Sequence, residues 1–178
     1  MSVTTQENEK LVKDFQAETR ELMDRMELIL EQCEGDIRLA PGLEEYGQLV
    51  DRIMGGAQSL AMALEGSSLL PCLQKMGNYA GVCKAVGYKT SQLTTHTNFY
   101  DVCIAFLQDA TEVMREMNDQ LLVGCMEFAF DDTFISRLKW ISEQFGSGFR
   151  SSVAVKESPR EGRMGQSEID ELLKKLGL

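Results

Sequence analysis

An acid and an amide four residues apart, Glu44 and Gln48, with Asp51 one turn further on, are the residues of this 178-residue chain best spaced to do chemistry. On a helix Glu44 and Gln48 are neighbours on one face. An amide so placed can orient a water and a carboxylate can add charge, a chemistry that needs only positioning and electrostatics. The same spacing arises on any solvated helix face, so both readings stand. Asp51 is followed by Met54 and by Gly55-Gly56. Two interior glycines cost a helix about 1 kcal/mol each relative to alanine, so a local reason is expected: close helix packing, or a bare backbone patch that lets a partner approach. The single histidine, His96, lies in the polar run Thr95-His96-Thr97 and reads as a surface or capping residue. The five cysteines (Cys33, Cys72, Cys83, Cys103, Cys125) form no C-x-x-C pair and read as reduced core thiols. One histidine and no ligand spacing leave no metal site to expect.

These residues must be positioned by helices. Apolar residues recur at helical spacing at Leu11, Phe15, Leu22, Met26, Ile29 and Cys33, which predicts a first helix over about Thr5 to Cys33. Leu43, Tyr46, Val50, Ile53, Ala57, Leu60 and Leu64 form the stripe of a second, with Pro41 in its first turn. A third is expected from Leu69 to Val86, stopped by Gly87. The stretch Tyr88 to Thr97 reads as a polar connector. A fourth helix, about Asn98 to Leu122 and ended by Gly124, buries Phe99, Cys103, Phe106, Ala110, Val113, Met117 and Leu121. A fifth, capped by Asp131 or Asp132, carries Phe134, Leu138, Ile141 and Phe145. No segment alternates with period two, so the expected class is all-α: an antiparallel four-helix bundle over residues 5–145, its short extra helix included.

Residues 146–164 are polar and read as a flexible linker. Residues 165–178 resume apolar periodicity. Ser167 suits an N-cap, Glu168, Asp170 and Glu171 place negative charge in the first turn, and Lys174 and Lys175 place positive charge in the last. Ile169, Leu172, Leu173 and Leu176 make one narrow apolar face. A helix of about ten residues is marginal alone in water, so it should order on a surface, either its own bundle or a partner's groove. The linker favours the partner.

The charge of −10 disfavours nucleic acid and anionic membranes. The polar N-terminus and the lack of any long apolar run lead us to expect a cytoplasmic protein.

The stretch Gly165 to Leu173 (GQSEIDELL) resembles the peptide with which flagellar switch proteins of the FliM type bind phosphorylated CheY. Together with Leu172-Leu173-Lys174-Lys175-Leu176-Gly177-Leu178 it looks still more like the C-terminal CheY-binding tail of CheZ phosphatases, with Gly165 for the usual serine and Leu178 for the aromatic. The resemblance implies a CheY-like response regulator as partner, contacted by Gln166, Ser167, Glu168, Ile169, Asp170, Leu172, Leu173 and Leu176. The segment Asp51-Arg52-Ile53-Met54-Gly55-Gly56-Ala57-Gln58-Ser59-Leu60-Ala61 resembles the signature of histidine phosphotransfer domains, roughly H-x-I-K-G-G-A-x-x-L/F-G. That family is an antiparallel four-helix bundle with its histidine on the second helix. Here Asp51 stands in the histidine's place and Met54 in the lysine's, so Asp51, Met54, Gly55 and Gly56 would form a degenerate phosphotransfer site.

CheZ enzymes pair an acid with a glutamine four positions on, which makes Glu44 and Gln48 candidate catalytic residues. Gln108-Asp109-Ala110-Thr111-Glu112-Val113 resembles the same enzymes' Q-D-L-T-G-Q-V without its second glutamine. The expected function is capture of a CheY-like regulator by the tail, with a bundle that is not itself phosphorylated on histidine. The alternatives are a CheZ-like phosphatase and a helical scaffold outside chemotaxis. No cofactor is expected, since Mg2+ would belong to the regulator, and a homodimer of the CheZ kind is one possible assembly.

Overall fold

The computed structural model describes residues 3–123, 130–147 and 166–177. They form α1 (Val3–Cys33), a 3-10 helix (Ile37–Gly42), α2 (Leu43–Ala63), α3 (Leu70–Thr90), α4 (Thr97–Gln120), α5 (Asp132–Ser147) and α6 (Gln166–Lys175). No strand occurs among the described residues, and the fold is all-α.

α1 packs on α2 and α4, and α3 packs on the same two helices. Met23, Met26 and Leu30 of α1, Tyr46, Val50 and Ile53 of α2, Leu73, Met76 and Tyr79 of α3, and Phe106, Leu107 and Met114 of α4 are buried completely or nearly so in a common core. Burying one such side chain contributes about 1.5–3 kcal/mol. The expected stripe of α2 is buried along its whole length. In α1 the buried face is wider than the expected stripe: Leu22, Met26 and Cys33 are buried as expected, Val12, Met23 and Leu30 join them, and Leu11 is 48% exposed. Two neighbours, α2 and α4, take a wider arc of α1 than one would. Ion pairs fix the flanks of this arc, Arg25–Glu45 and Arg52–Glu18 toward α2, and Arg20–Asp119 and Arg115–Asp24/Glu27 toward α4. Each is largely exposed and contributes about 0–1 kcal/mol, so they set register more than stability.

Several boundaries differ from the sequence reading. Pro41 lies in the 3-10 helix ahead of α2, not in its first turn. That helix is capped by Asp36, whose carboxylate accepts from the Arg38 backbone N–H at 3.0 Å and pairs with its guanidinium, holding its pKa down at about 2. α3 does not stop at Gly87 but continues to Thr90, whose Oγ1 donates to the Val86 carbonyl at 2.8 Å. Asp131 caps α5 by accepting from the backbone N–H groups of Thr133 and Phe134. α5 keeps Gly146 and Ser147, which were expected in the linker; the rest of 146–164, like Gly124, lies outside the described residues. Cys33, Cys83 and Cys103 are buried free thiols as expected, whereas Cys72 is disulfide-bonded; Cys125 lies outside the described residues.

α5 closes one side of the core through aromatic contacts. Phe134 stacks on Phe106 with centroids 4.9 Å apart, and Phe145 meets Phe99 edge-on at 5.0 Å. α6 then folds back onto α3 and α5. Of the two surfaces left open by its periodicity, this structure places it on its own bundle. Among the described residues, no helix is long and apolar enough to cross a membrane.

Candidate functional site

The α2–α3 interface is the most extensive in the molecule, and a reciprocal pair of glycines sets its spacing. A Cβ on Gly47 would lie 2.8 Å from Cζ of Tyr88, and a Cβ on Gly87 would lie 2.8 Å from Cδ1 of Tyr46. Each helix thus seats a tyrosine ring on the bare backbone of the other. Tyr46 is fully buried and its hydroxyl lies 3.2 Å from Thr111 Oγ1 of α4.

This close approach assembles a polar cluster. Lys84 Nζ of α3 donates to Asp51 Oδ1 of α2 at 2.5 Å, the lysine side chain being 14% exposed and the aspartate 46%. Tyr88, one turn beyond Lys84, has its hydroxyl pKa raised first by burial and then by the negative charges of Asp51 and Glu44. Glu44 and Asp51 therefore both bear on one tyrosine. Gln48, between them on α2, is exposed.

The structure separates the roles of Gly55 and Gly56. A Cβ on Gly56 would lie 2.9 Å from Cε2 of Phe15 on α1, so Gly56 serves helix packing. A Cβ on Gly55 would have nothing within 4 Å, so Gly55 is bare backbone facing open space. Close helix packing accounts for Gly56, and Gly55 is bare as the second explanation requires. Met54 is half-buried, and Lys84 supplies a cation beside Asp51 from across the interface.

The tail packs on α3 and α5, and along α3 it lies one turn from this cluster. A Cβ on Gly81 would lie 3.2 Å from Leu172 Cδ2 and 3.7 Å from Met54 Sδ. Leu173 is buried, and Leu172 and Leu176 are half-buried against the core, while Asp170, Glu171, Lys174 and Lys175 are exposed. Gln166, Ser167, Glu168 and Ile169 form the start of α6; their side chains lie outside the described residues.

Other candidates fall elsewhere. Asp109 of α4 is ion-paired with Arg137 of α5, so the second CheZ-like echo is occupied by a link between helices and is not part of the α2–α3 cluster. His96 is exposed, takes φ +64° just before α4, and its carbonyl accepts from the N–H groups of Phe99 and Tyr100. It borders an open groove of about 350 Å³ lined also by Thr97, Asn98, Phe99, Val102 and Trp140. Among the described residues, no group of three or more His, Cys, Asp or Glu side chains could hold a metal ion.

The sequence reading named Glu44, Gln48, Asp51, Met54, Gly55 and Gly56 and missed Lys84, Tyr88 and Gly81. The available signal was the mirrored pair Tyr46-Gly47 and Gly87-Tyr88, which places a ring and a gap on each helix. Comparison with protein-family models, curated proteins and solved structures finds no match.

Proposed function

We propose that this chain binds CheY-like response regulators through residues 165–178 and that its body is an antiparallel bundle of the histidine phosphotransfer type that has lost the phosphoryl-accepting histidine. The observation that carries this reading is α6: a ten-residue helix beginning in Gln166-Ser167-Glu168-Ile169-Asp170 whose leucines form one stripe while Asp170, Glu171, Lys174 and Lys175 are exposed. Such a helix docks by burying the stripe in a groove. The body supports the same reading, because the carboxylate of Asp51 is held by Lys84 where the signature needs an imidazole. A carboxylate there cannot store phosphate as phosphohistidine, while the bare Gly55 next to it leaves room for a partner's approach.

Calorimetric titration of the full chain with a CheY-type regulator, with and without beryllofluoride, tests this. Binding is expected, and Leu173→Asp should abolish it; absence of binding in either regulator state sinks the proposal. Incubation with a phosphorylated CheA-type kinase should leave no acid-labile label, and label on His96 would overturn the account of the body.

A second reading, a phosphatase of the captured regulator, is favoured by one observation. Glu44 and the exposed Gln48 stand one turn apart beside Asp51. If it holds, the chain speeds loss of the regulator's phosphoryl group and Gln48→Ala removes the effect. Unchanged decay with the wild-type chain rejects it.

A further inference from the structure

We infer that α6 is a latch: seated over Gly81 and Met54, it covers a face of its own bundle with the same leucines that would bind a partner, so capture of a partner and closure of this face exclude one another. The inference rests on the partner reading for what releases the latch, and on geometry alone for the latch itself.

The seat is built by side chains that are absent. At Gly81 the α3 backbone is bare, and Leu172 lies close enough that a single added carbon would approach it to 3.2 Å. Met54 Sδ forms the far wall of the same hollow, 3.7 Å from that position. Leu173 is 7% exposed and joins the core. Asp51 precedes Met54 by three residues and Lys84 follows Gly81 by three, so the Asp51–Lys84 pair borders the seat by one helical turn on both helices. Releasing α6 would therefore uncover apolar surface directly beside the polar cluster of the proposed site.

The latch is weak enough to open. α6 has ten residues, too few to be stable alone, and only Leu172, Leu173 and Leu176 among its described side chains are buried or half-buried. Residues 148–165 connect it to α5. Being part of the same chain, α6 competes with any partner arriving from solution at an effective concentration fixed by that connection. A partner's apparent affinity falls by the open fraction, so the closed latch weakens capture.

Hydrogen exchange of the full chain by mass spectrometry, read at residues 166–177, tests the latch without any regulator. Wild-type α6 should be protected. Gly81→Leu should remove that protection, because the nearest atoms a Cβ would meet at Gly81 are Leu172 Cδ2 and Cδ1 at 3.2 and 3.3 Å. Leu172→Ser should do the same from the tail side, which guards against a folding defect in the first variant. An unprotected wild-type tail, or protection that survives both variants, overturns the latch. Protection that appears only as the chain dimerises would overturn it in favour of exchange of tails between two copies. In the same samples, Gly81→Leu should bind a CheY-type regulator more tightly than wild type, by the factor by which exchange protection at residues 166–177 is lost. Loss of protection with no regulator bound by either protein would keep the latch and remove the regulator as its key.

Discussion

Replacing Gly87 with alanine tests whether the α2–α3 spacing, and the cluster built on it, depends on one missing carbon. In a helix interior the change alone should stabilise by about 1 kcal/mol. Here the new Cβ would sit 2.8 Å from the Tyr46 ring. Tyr46 has no exposed surface and is tied to Thr111 through its hydroxyl, so it cannot swing aside. Forcing an extra carbon into a filled core costs about 1–3 kcal/mol, and losing the buried hydrogen bond costs about 1 kcal/mol. The net expectation is a loss of about 1–3 kcal/mol. In urea that lowers the midpoint by about 1 M at unchanged slope. Tyr46→Leu removes the part of the ring that the alanine would strike. Combining it with Gly87→Ala should therefore cost less than the sum of the two single changes. A Gly87→Ala protein with a raised midpoint would refute the close approach, and with it the reason Lys84 reaches Asp51.

The paired glycines of α2 should respond with opposite signs. Gly55→Ala meets nothing and should raise stability by about 0.5–1 kcal/mol, whereas Gly56→Ala must displace Phe15 and should lower the urea midpoint; equal shifts would show that Phe15 does not press on the helix. Asp51→Asn leaves Lys84, only 14% exposed, facing a neutral group and should cost about 1 kcal/mol in the same assay, so an unchanged midpoint would show that the pair does not bind the two helices. Burial raises the thiol pKa of Cys83 and of Cys103 to about 12 from an ordinary value of 9.0. Between those values the unfolded chain has released protons that the folded chain keeps, so stability should be intact below about pH 9 and fall as pH rises above it, and a urea midpoint that held or rose from about pH 8 to about pH 10 would contradict this. At about pH 8, Cys33, Cys83 and Cys103 should resist a thiol reagent until urea is added; peptide mapping reports each one separately.

Periodicity was enough to read the long helices, because an apolar residue every three or four positions has one way to leave water. It located the stripe of α2 residue by residue and the aromatic face of α5, where Phe134, Leu138, Ile141 and Phe145 are all buried. It failed at Gly87, where a local stop signal was overridden. The glycine was needed inside the helix as a seat for Tyr46, and the contact that explains it comes from a residue 41 positions earlier in the chain. The same limit hid Lys84 and Tyr88. Neither stands near Asp51 in sequence, and their roles follow from the closeness of two helices.

The sequence by itself determined the all-α class, the amphipathic character of the last segment and the placing of Asp51 one turn before Gly55-Gly56 on one helix. Those are properties of residue type and spacing along one strand of chain. The tertiary structure decided which surface α6 covers, which of Gly55 and Gly56 is bare, and that Lys84 stands beside Asp51. Each of these depends on what a distant helix brings within a few ångströms, and spacing along a single helix cannot encode that distance.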